Sequence, residues 1–300
     1  LKKIFIIFIF FLAIPILADI NHIFIFMKNK ILTSNFCDYR NDHFHTGIDL
    51  AALDEDIIVP NDSEVVFFNI KRKNSINYGN GNFVILQDNK NNYRFNFSHL
   101  KDDSFDNKKI VYSRGDKIAV SGNTGHSSGS HLHLEIEDIK NKLLLNPLTF
   151  LNIEDTRRPR LIDIYFITED NKKISITDPR NYKIEKNGKL FIKCMDYVNN
   201  SEYALVPYKI TVYIDGKKTS SLMFDHLTSN LNNFVLNDGR DFSSLYINNE
   251  KNDFFISNFF SLPGLIGFKV EIEDFSGNIL VYKKNLIVEY KKENEDAKIK

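Results

Sequence analysis

Two imidazoles stand two positions apart in Ser-Gly-Ser-His-Leu-His-Leu-Glu-Ile, residues 129–137. Side chains on a strand alternate between faces, so His131 and His133 share one face while Leu132, Leu134 and Ile136 share the other. One face suits a core; the other presents a pair of nitrogen bases. The chain has eight histidines, and two more segments bear on the same chemistry. His43-Phe44-His45-Thr46-Gly47-Ile48-Asp49-Leu50 sets an imidazole and a carboxylate four apart around a glycine, and Phe97-Ser98-His99-Leu100 ends a strand with another histidine. Neutral imidazoles and carboxylates are ligands for a divalent ion, and a catalytic zinc usually takes three protein ligands with one position left for water. No single segment supplies three, so distant parts of the chain must converge. On a helix the His45/Asp49 spacing would stack the two on one face. Gly47 and the alternation of Ile48 and Leu50 favour instead a turn entering a strand, from which both could close on an ion.

The elements that must do this positioning read as β-strands. Ile57 to Pro60, Glu64 to Ile70, Asn82 to Asp88, Tyr93 to His99, Lys117 to Ser121 and His131 to Glu137 are short, rich in β-branched or aromatic residues, and divided by Asn, Asp and Gly clusters. No long helix-period segment interrupts them. A second set follows Asn146-Pro147: Leu161 to Thr168, Lys173 to Ile176, Leu190 to Met195, Tyr208 to Ile214, Gly267 to Ile272 and Asn278 to Val288. The polar stretch Glu154 to Arg160 carries a proline and marks a boundary. The expected class is all-β: an antiparallel-sheet domain over 19–152, a linker at 153–160, a β-sandwich over 161–290 and a charged tail at 291–300.

The order His-x-Gly-x-Asp, His-Leu, Gly-Asn-Thr-Gly and His-Leu-His-Leu-Glu resembles the lysostaphin-type zinc endopeptidases, the M23 family, over about residues 36–150. Ile58-Val59-Pro60 and Glu64-Val65-Val66 look like that family's strand entering the core, and Asn77 to Asn82 like its central turn. Such enzymes cut peptide bonds within bacterial peptidoglycan with a compact antiparallel β fold and one zinc. Each fragment alone is a weak signal; four in this order are specific. The resemblance implies His45, Asp49 and His133 as zinc ligands and leaves His99 and His131 as a catalytic pair beside the attacking water. It gives His131 the water and His99 the tetrahedral intermediate, with the two roles open to being shared or reversed. Tyr39 matches a family tyrosine that donates to the same oxyanion. Bound zinc lowers the pKa of a water to about 7 and polarises a carbonyl. An unligated imidazole nearby can accept the water's proton, protonate the leaving amine, or donate to the oxyanion. Ser98, Ser130 and Leu134 depart from residues common in the family at those places, and none of these changes removes a ligand.

Other candidates carry simpler readings. His22 and His226 read as ordinary polar residues. His43 forms a His-x-His with His45 and is its rival for the metal; His126 lies in the loop before the motif and borders the cleft; Cys37 is near the cluster but reads as a core thiol. Arg40 either orients a substrate carboxylate or is a plain surface arginine. Arg114-Gly115-Asp116 suits a turn better than an adhesion signal.

Lys plus Arg equals Asp plus Glu at 39 each, and the absence of a basic excess argues against a nucleic-acid partner. Residues 1–18 place two lysines before an apolar run from Ile4 to Ala18, the pattern of an export signal. The run is shorter than the roughly 20 residues of a comfortable membrane span, so it reads as a signal peptide or an uncleaved inner-membrane anchor, the large Ile16 before Ala18 leaving cleavage open, with a buried N-terminal segment as the alternative to export. Signal and anchor both place the chain in the bacterial cell envelope, in the periplasm. Cys37 and Cys194 form no disulfide framework.

In the second half, the alternation Lys269-Val270-Glu271-Ile272-Glu273 exposes charges and buries Val270 and Ile272. The strands from Leu190, Tyr208 and Gly267 resemble an immunoglobulin-like sandwich, which implies a spacer, wall-binding module or partner surface, and no acid, base or nucleophile cluster stands out there. The expected function is an exported zinc endopeptidase acting on peptidoglycan peptides. The alternatives are an inactive relative that binds wall peptides or activates another hydrolase, and a structural envelope protein. Retention of all the ligands and both catalytic histidines favours the enzyme.

Overall fold

The structure, a computed structural model, describes residues 26–28, 31–70, 79–185, 187–199, 201–230, 233–260 and 262–289. The apolar run at 1–18, His22, Asn77 and Tyr78 of the expected central turn, and the charged end from 291 lie outside the described residues. Among the described residues, no helix is long and apolar enough to cross a membrane.

The first half comprises β1 (Ile31–Ser34), β2 (Tyr39–Arg40), β3 (His43–Phe44), β4 (Ile48–Ala51), β5 (Asp56–Ile58) and β6 (Ser63–Asn69). It continues with β7 (Phe83–Asp88), β8 (Tyr93–Ser98), β9 (Val111–Tyr112), β10 (Lys117–Val120), β11 (His131–Asp138) and β12 (Leu143–Leu145). The second half adds β13 (Arg160–Thr168), β14 (Lys173–Ser175), β15 (Lys183–Glu185), β16 (Asn187–Met195), β17 (Lys209–Ile214) and β18 (Lys217–Met223). After β19 (His226–Asn230) and β20 (Asn233–Leu236) come one helical turn, α1 (Phe242–Leu245), then β21 (Asp253–Phe260), β22 (Gly264–Glu273) and β23 (Ile279–Glu289). The protein is thus all-β, as its turn-punctuated apolar runs predict.

Turn chemistry explains the chain reversals. Asp215 and Gly216 both sit at positive φ between β17 and β18, the requirement of a two-residue hairpin whose twist matches its strands. Between β7 and β8, Asp88 Oδ1 accepts from the backbone N–H groups of Lys90 and Asn91, each at 3.0 Å, a side-chain mimic of a backbone turn.

β11 is the hub of the first sheet. Its start pairs antiparallel with β4, placing His133 opposite Asp49 and His131 opposite Ala51. Its other edge pairs with β8, with His133 opposite Ser98. The downward face of β11 is fully buried at Leu132, Leu134 and Ile136, beside Phe95 and Phe97 of β8. A one-residue slip would bury the histidines and expose the leucines, so the apolar face fixes the register that aims the imidazoles outward.

The second half forms a four-stranded sheet, β14-β13-β16-β21, and a five-stranded sheet, β15-β23-β22-β17-β18. Ile192 and Phe254 of one and Val212, Val270 and Ile272 of the other are buried in one apolar cluster. Val270 and Ile272 face inward as their alternation predicts. This is a second β domain; an immunoglobulin-like connectivity is not established for it.

The two halves are joined more closely than a spacer requires. The hairpin β19–β20 leaves the second domain's sheets and adds to the first, pairing Leu143, Leu144 and Leu145 of β12 with Thr228, Leu227 and His226. Asn146 ties the same corner, with its backbone N–H on Asp225 O at 2.8 Å and its side-chain amide on Phe224 O at 2.9 Å. Opposite, Tyr246 donates from its buried hydroxyl to Cys37 O at 3.1 Å.

Candidate metal centre and cleft

Three segments bring their polar groups together on the outward face of β4 and β11. His45 arrives from the loop between β3 and β4, where Gly47 lets the chain press against β11: a Cβ at that position would sit 2.2 Å from Leu134 O. The glycine of the His-x-Gly-x-Asp spacing is therefore a close-approach residue. Asp49 follows on β4, directly across from His133. The three candidate ligand atoms form a near-equilateral triangle. His45 Nε2 lies 3.1 Å from Asp49 Oδ1 and 3.0 Å from His133 Nδ1, and His133 Nδ1 lies 2.9 Å from Asp49 Oδ1.

Each ligand is oriented from behind. His45 Nδ1 donates to Asn35 O at 2.7 Å, which leaves Nε2 as the lone-pair nitrogen. His133 Nε2 faces Glu135 Oε1 at 3.3 Å, leaving Nδ1 for the centre. Glu135 is itself held by Asn96 Nδ2 at 2.8 Å and by the Thr46 hydroxyl. Asp49 Oδ2 accepts from Arg40 Nη2 at 3.0 Å, so its other oxygen is free to turn inward. Outer partners of this kind fix tautomer and ring direction in metal sites.

The electrostatics match a cluster waiting for a cation. Burial disfavours the Asp49 carboxylate, but the imidazoles of His45 and His133 outweigh it and hold its pKa well below the usual range. Burial lowers His45. For His133 the same desolvation is overcome by Asp49 and Glu135, which hold the ring up to about 9. Glu135 in turn is held down to about 2, its burial outweighed by His133, Thr46 and Asn96. Two imidazole nitrogens and a carboxylate oxygen at these separations fit a divalent ion of the zinc class, whose metal–ligand distances are about 2.0–2.2 Å.

His99 and His131 stand beside the triangle, their ring centroids 4.6 Å apart. His131 Nε2 lies 3.7 Å from Asp49 Oδ1, and its Nδ1 is 2.8 Å from Gly129 O. His99 Nδ1 is 2.8 Å from Thr124 O. That carbonyl is placed by Gly125, at φ +78, where a Cβ would meet the Gly81 backbone at 2.3 Å. His99 itself has φ +60, a conformation unusual for a side-chain-bearing residue and found at sites where geometry is over-determined. Burial pushes its pKa down to about 4.

All five residues line an open cleft of about 950 Å³. Tyr39 lines it too, its ring packed 5.3 Å from Phe242 and 5.2 Å from Tyr246 of the second domain. His126 borders the cleft, and His43 lies on its rim, exposed and paired with Asp42 at 2.5 Å. Cys37 and Cys194 are buried and unbridged; desolvation raises both thiols. Arg40 lines the cleft and pairs through Nη2 with Asp49 at 3.0 Å. His226 pairs with Asp225 at 3.1 Å. Sequence reading missed Glu135, although its place two after His133 puts it on the same strand face. It also missed Tyr203 and Lys251, which bring the second domain to the cleft wall.

A β-sheet domain with a two-histidine, one-carboxylate cluster on its outer face is the class defined by this geometry. Residues 43–147 match the sequence model of peptidase family M23. Residues 158–289 match a separate family model. A zinc-containing peptidase from Vibrio cholerae is 26% identical over 41% of this chain, with a TM-score of 0.33; the chain spans 36% of that protein. The catalytic domain of lysostaphin, an antimicrobial peptidase from Staphylococcus simulans, is 23% identical over 39% of this chain and 87% of its own length, with a TM-score of 0.33.

Proposed function

We propose that the protein is an exported zinc-dependent endopeptidase that hydrolyses peptide bonds in peptidoglycan during cell-wall remodelling. The observation that carries this reading is the convergence of His45, Asp49 and His133 donor atoms within 2.9–3.1 Å of one another, with two further imidazoles alongside. The M23 match supports the reaction class; the apolar run of residues 1–18 supports export to the periplasm, whether the segment is cleaved or kept as an anchor.

Zinc held by the three ligands supplies Lewis acidity, which polarises a scissile carbonyl and lowers the pKa of a water. The remaining work falls to the chain. With Nδ1 tied to Gly129 O, His131 presents Nε2 as its basic nitrogen. It takes a proton from the attacking water and returns it to the departing amine. His99 is held neutral by burial, with Nδ1–H on Thr124 O, so its cleft-side nitrogen accepts and cannot donate to an oxyanion. We therefore revise the role that resemblance alone implies for it: His99 orients the water through its second hydrogen. The oxyanion donor is then Tyr39, whose ring is fixed by the second domain.

Incubating the parent and His131→Ala with purified sacculi, and identifying released fragments by mass spectrometry, tests the proposal. The parent should release peptides, and the variant should keep zinc while losing about 10²–10⁴-fold in rate. Stoichiometric zinc with no fragments from the parent would overturn the enzymatic reading in favour of a wall-binding or activating protein.

A further inference from the structure

A second constellation of potential ligands lies where the linker meets the second domain. Asp155 belongs to the stretch before β13, Asp196 follows β16, and Asp274 opens the turn between β22 and β23. Their carboxylate oxygens approach within 4.8 Å of one another. Acidic clusters on surfaces are common, but this one is largely inside. Asp196 is 4% exposed and Asp274 1%. Asp196 Oδ1 is shielded from solvent and has no hydrogen-bond partner among the described residues. A buried carboxylate oxygen without a partner carries a large desolvation penalty unless a cation meets it.

The surroundings do not supply that cation. Among the described residues, no Lys or Arg forms an ion pair with any of the three. Arg157, the nearest in sequence to Asp155, directs Nη1 to Val198 O at 3.2 Å and Ser201 O at 2.9 Å. The turn is organised around the cluster instead. Asp274 accepts from the Asn278 backbone and side chain, each at 2.8 Å, and the same Asn278 amide reaches Asp155 O at 3.1 Å. Asp155 Oδ1 accepts from Arg157 N at 3.0 Å. These bonds use part of each carboxylate and leave further lone pairs. Asp155 and Asp196 also line a small cavity of about 20 Å³, a volume on the scale of one water or ion.

We propose that Asp155, Asp196 and Asp274 form a second cation site, separate from the His45/Asp49/His133 centre, that takes a hard divalent ion of the calcium class. The donors are all oxygens, with neither imidazole nor thiolate among them, which selects calcium or magnesium over zinc. Calcium–oxygen distances of about 2.3–2.6 Å in flexible geometry span oxygens up to 4.8 Å apart, which the tight octahedron of magnesium at about 2.0–2.1 Å does not. Burial and the Asp274 carboxylate push Asp196 up to about 7, as expected of acidic groups crowded together without a counter-ion. An ion there fastens the linker to the end of β16 and to the β22–β23 turn. Asp196 also exchanges backbone hydrogen bonds with Leu205, at 2.9 and 3.0 Å. Its neighbour Val206 donates to Asp38 at 2.9 Å, beside the loop that bears His45, so the site reinforces the joint between the domains.

Equilibrium dialysis of the zinc-loaded full chain against radiolabelled calcium, paired with thermal melts, tests this. The expected result is one saturable calcium per chain with a Kd of about 10⁻⁴–10⁻³ M, the range of extracellular calcium modules, and a melting midpoint that rises with calcium. Asp196→Asn should weaken binding by more than about 100-fold, beyond the effect of an outer partner, while zinc content is unchanged. It should also melt higher than the parent in the absence of calcium, because one uncompensated charge is gone. Asp155→Asn, on the half-exposed linker, gives a second reading should Asp196→Asn fail to fold. Absence of saturable calcium binding in the parent, or unaltered binding in folded Asp155→Asn, overturns the site. Equal affinity for magnesium overturns the calcium class.

Discussion

The protein holds two gatherings of carboxylate that differ in how their charge is met. Asp49 lies among His45, His133 and Arg40 and stays ionised well below the usual range. Asp196 lies among Asp155 and Asp274 and is pushed the other way, to about 7. One site is neutralised before any metal arrives; in the other, burial and repulsion among the carboxylates outweigh the pull of Arg157. One neutral imidazole, a second that must shed a proton to the metal, and an arginine-backed carboxylate prepare a compact borderline-soft site. Oxygen alone defines a hard one whose folding depends on its ion.

That contrast is broken most severely at His133. His133→Ala should abolish stoichiometric zinc binding and peptide release together, measured by atomic absorption and the sacculus assay, yet leave calcium binding intact. Parallel loss of both metals would mean that the sites are not independent. A smaller change comes from Glu135→Gln, which keeps the ligand but weakens the group behind it. Zinc affinity should fall by about 10–100-fold in competition with a chelator.

Acidity sharpens the comparison further. The ring of His133 has its pKa raised from 6.5 to about 9, so in the metal-free protein its contribution to stability is complete below pH 6.5 and disappears as the pH rises through about 9. Zinc requires that proton to leave. The rise in melting midpoint on adding zinc should therefore grow between pH 6.5 and 9; a rise that is flat across this range would contradict the proton count. Smallest is the effect of Tyr246→Phe, which removes the hydrogen bond to Cys37 O. It should reduce stability by about 1–3 kcal/mol, the consequence of leaving a buried carbonyl unpaired, with zinc content retained in denaturant titrations followed alongside metal analysis.

The legible and illegible parts of the molecule divide along sequence distance. His131 and His133 could be placed on one face because strand alternation is local, and Gly47 with the Ile48 and Leu50 alternation marked a turn entering a strand; its close approach to Leu134 could not be read from sequence. Glu135 obeyed the same alternation and was readable in principle. Arg40 was not, since its partner depends on how two short strands fold back, and the spacing of Arg40 and Asp49 encodes no angle. The convergence of Asp155, Asp196 and Asp274 spans more than a hundred positions of sequence, without any repeated spacing to announce it. The hairpin β19–β20 was hidden for a related reason. His-Leu-Thr-Ser-Asn carries little apolar signal, and its pairing partner β12 is set by tertiary packing. Tyr203 and Lys251 occupy irregular segments, where sequence period says nothing about direction.

The borrowed hairpin has a practical corollary for dissecting the chain. A fragment ending at residue 152 would strip β19 from β12 and uncover three successive leucines, 143–145, along a raw sheet border. Unpaired borders of that composition recruit strands from other molecules, so the excised first half should self-associate unless that flank is recapped.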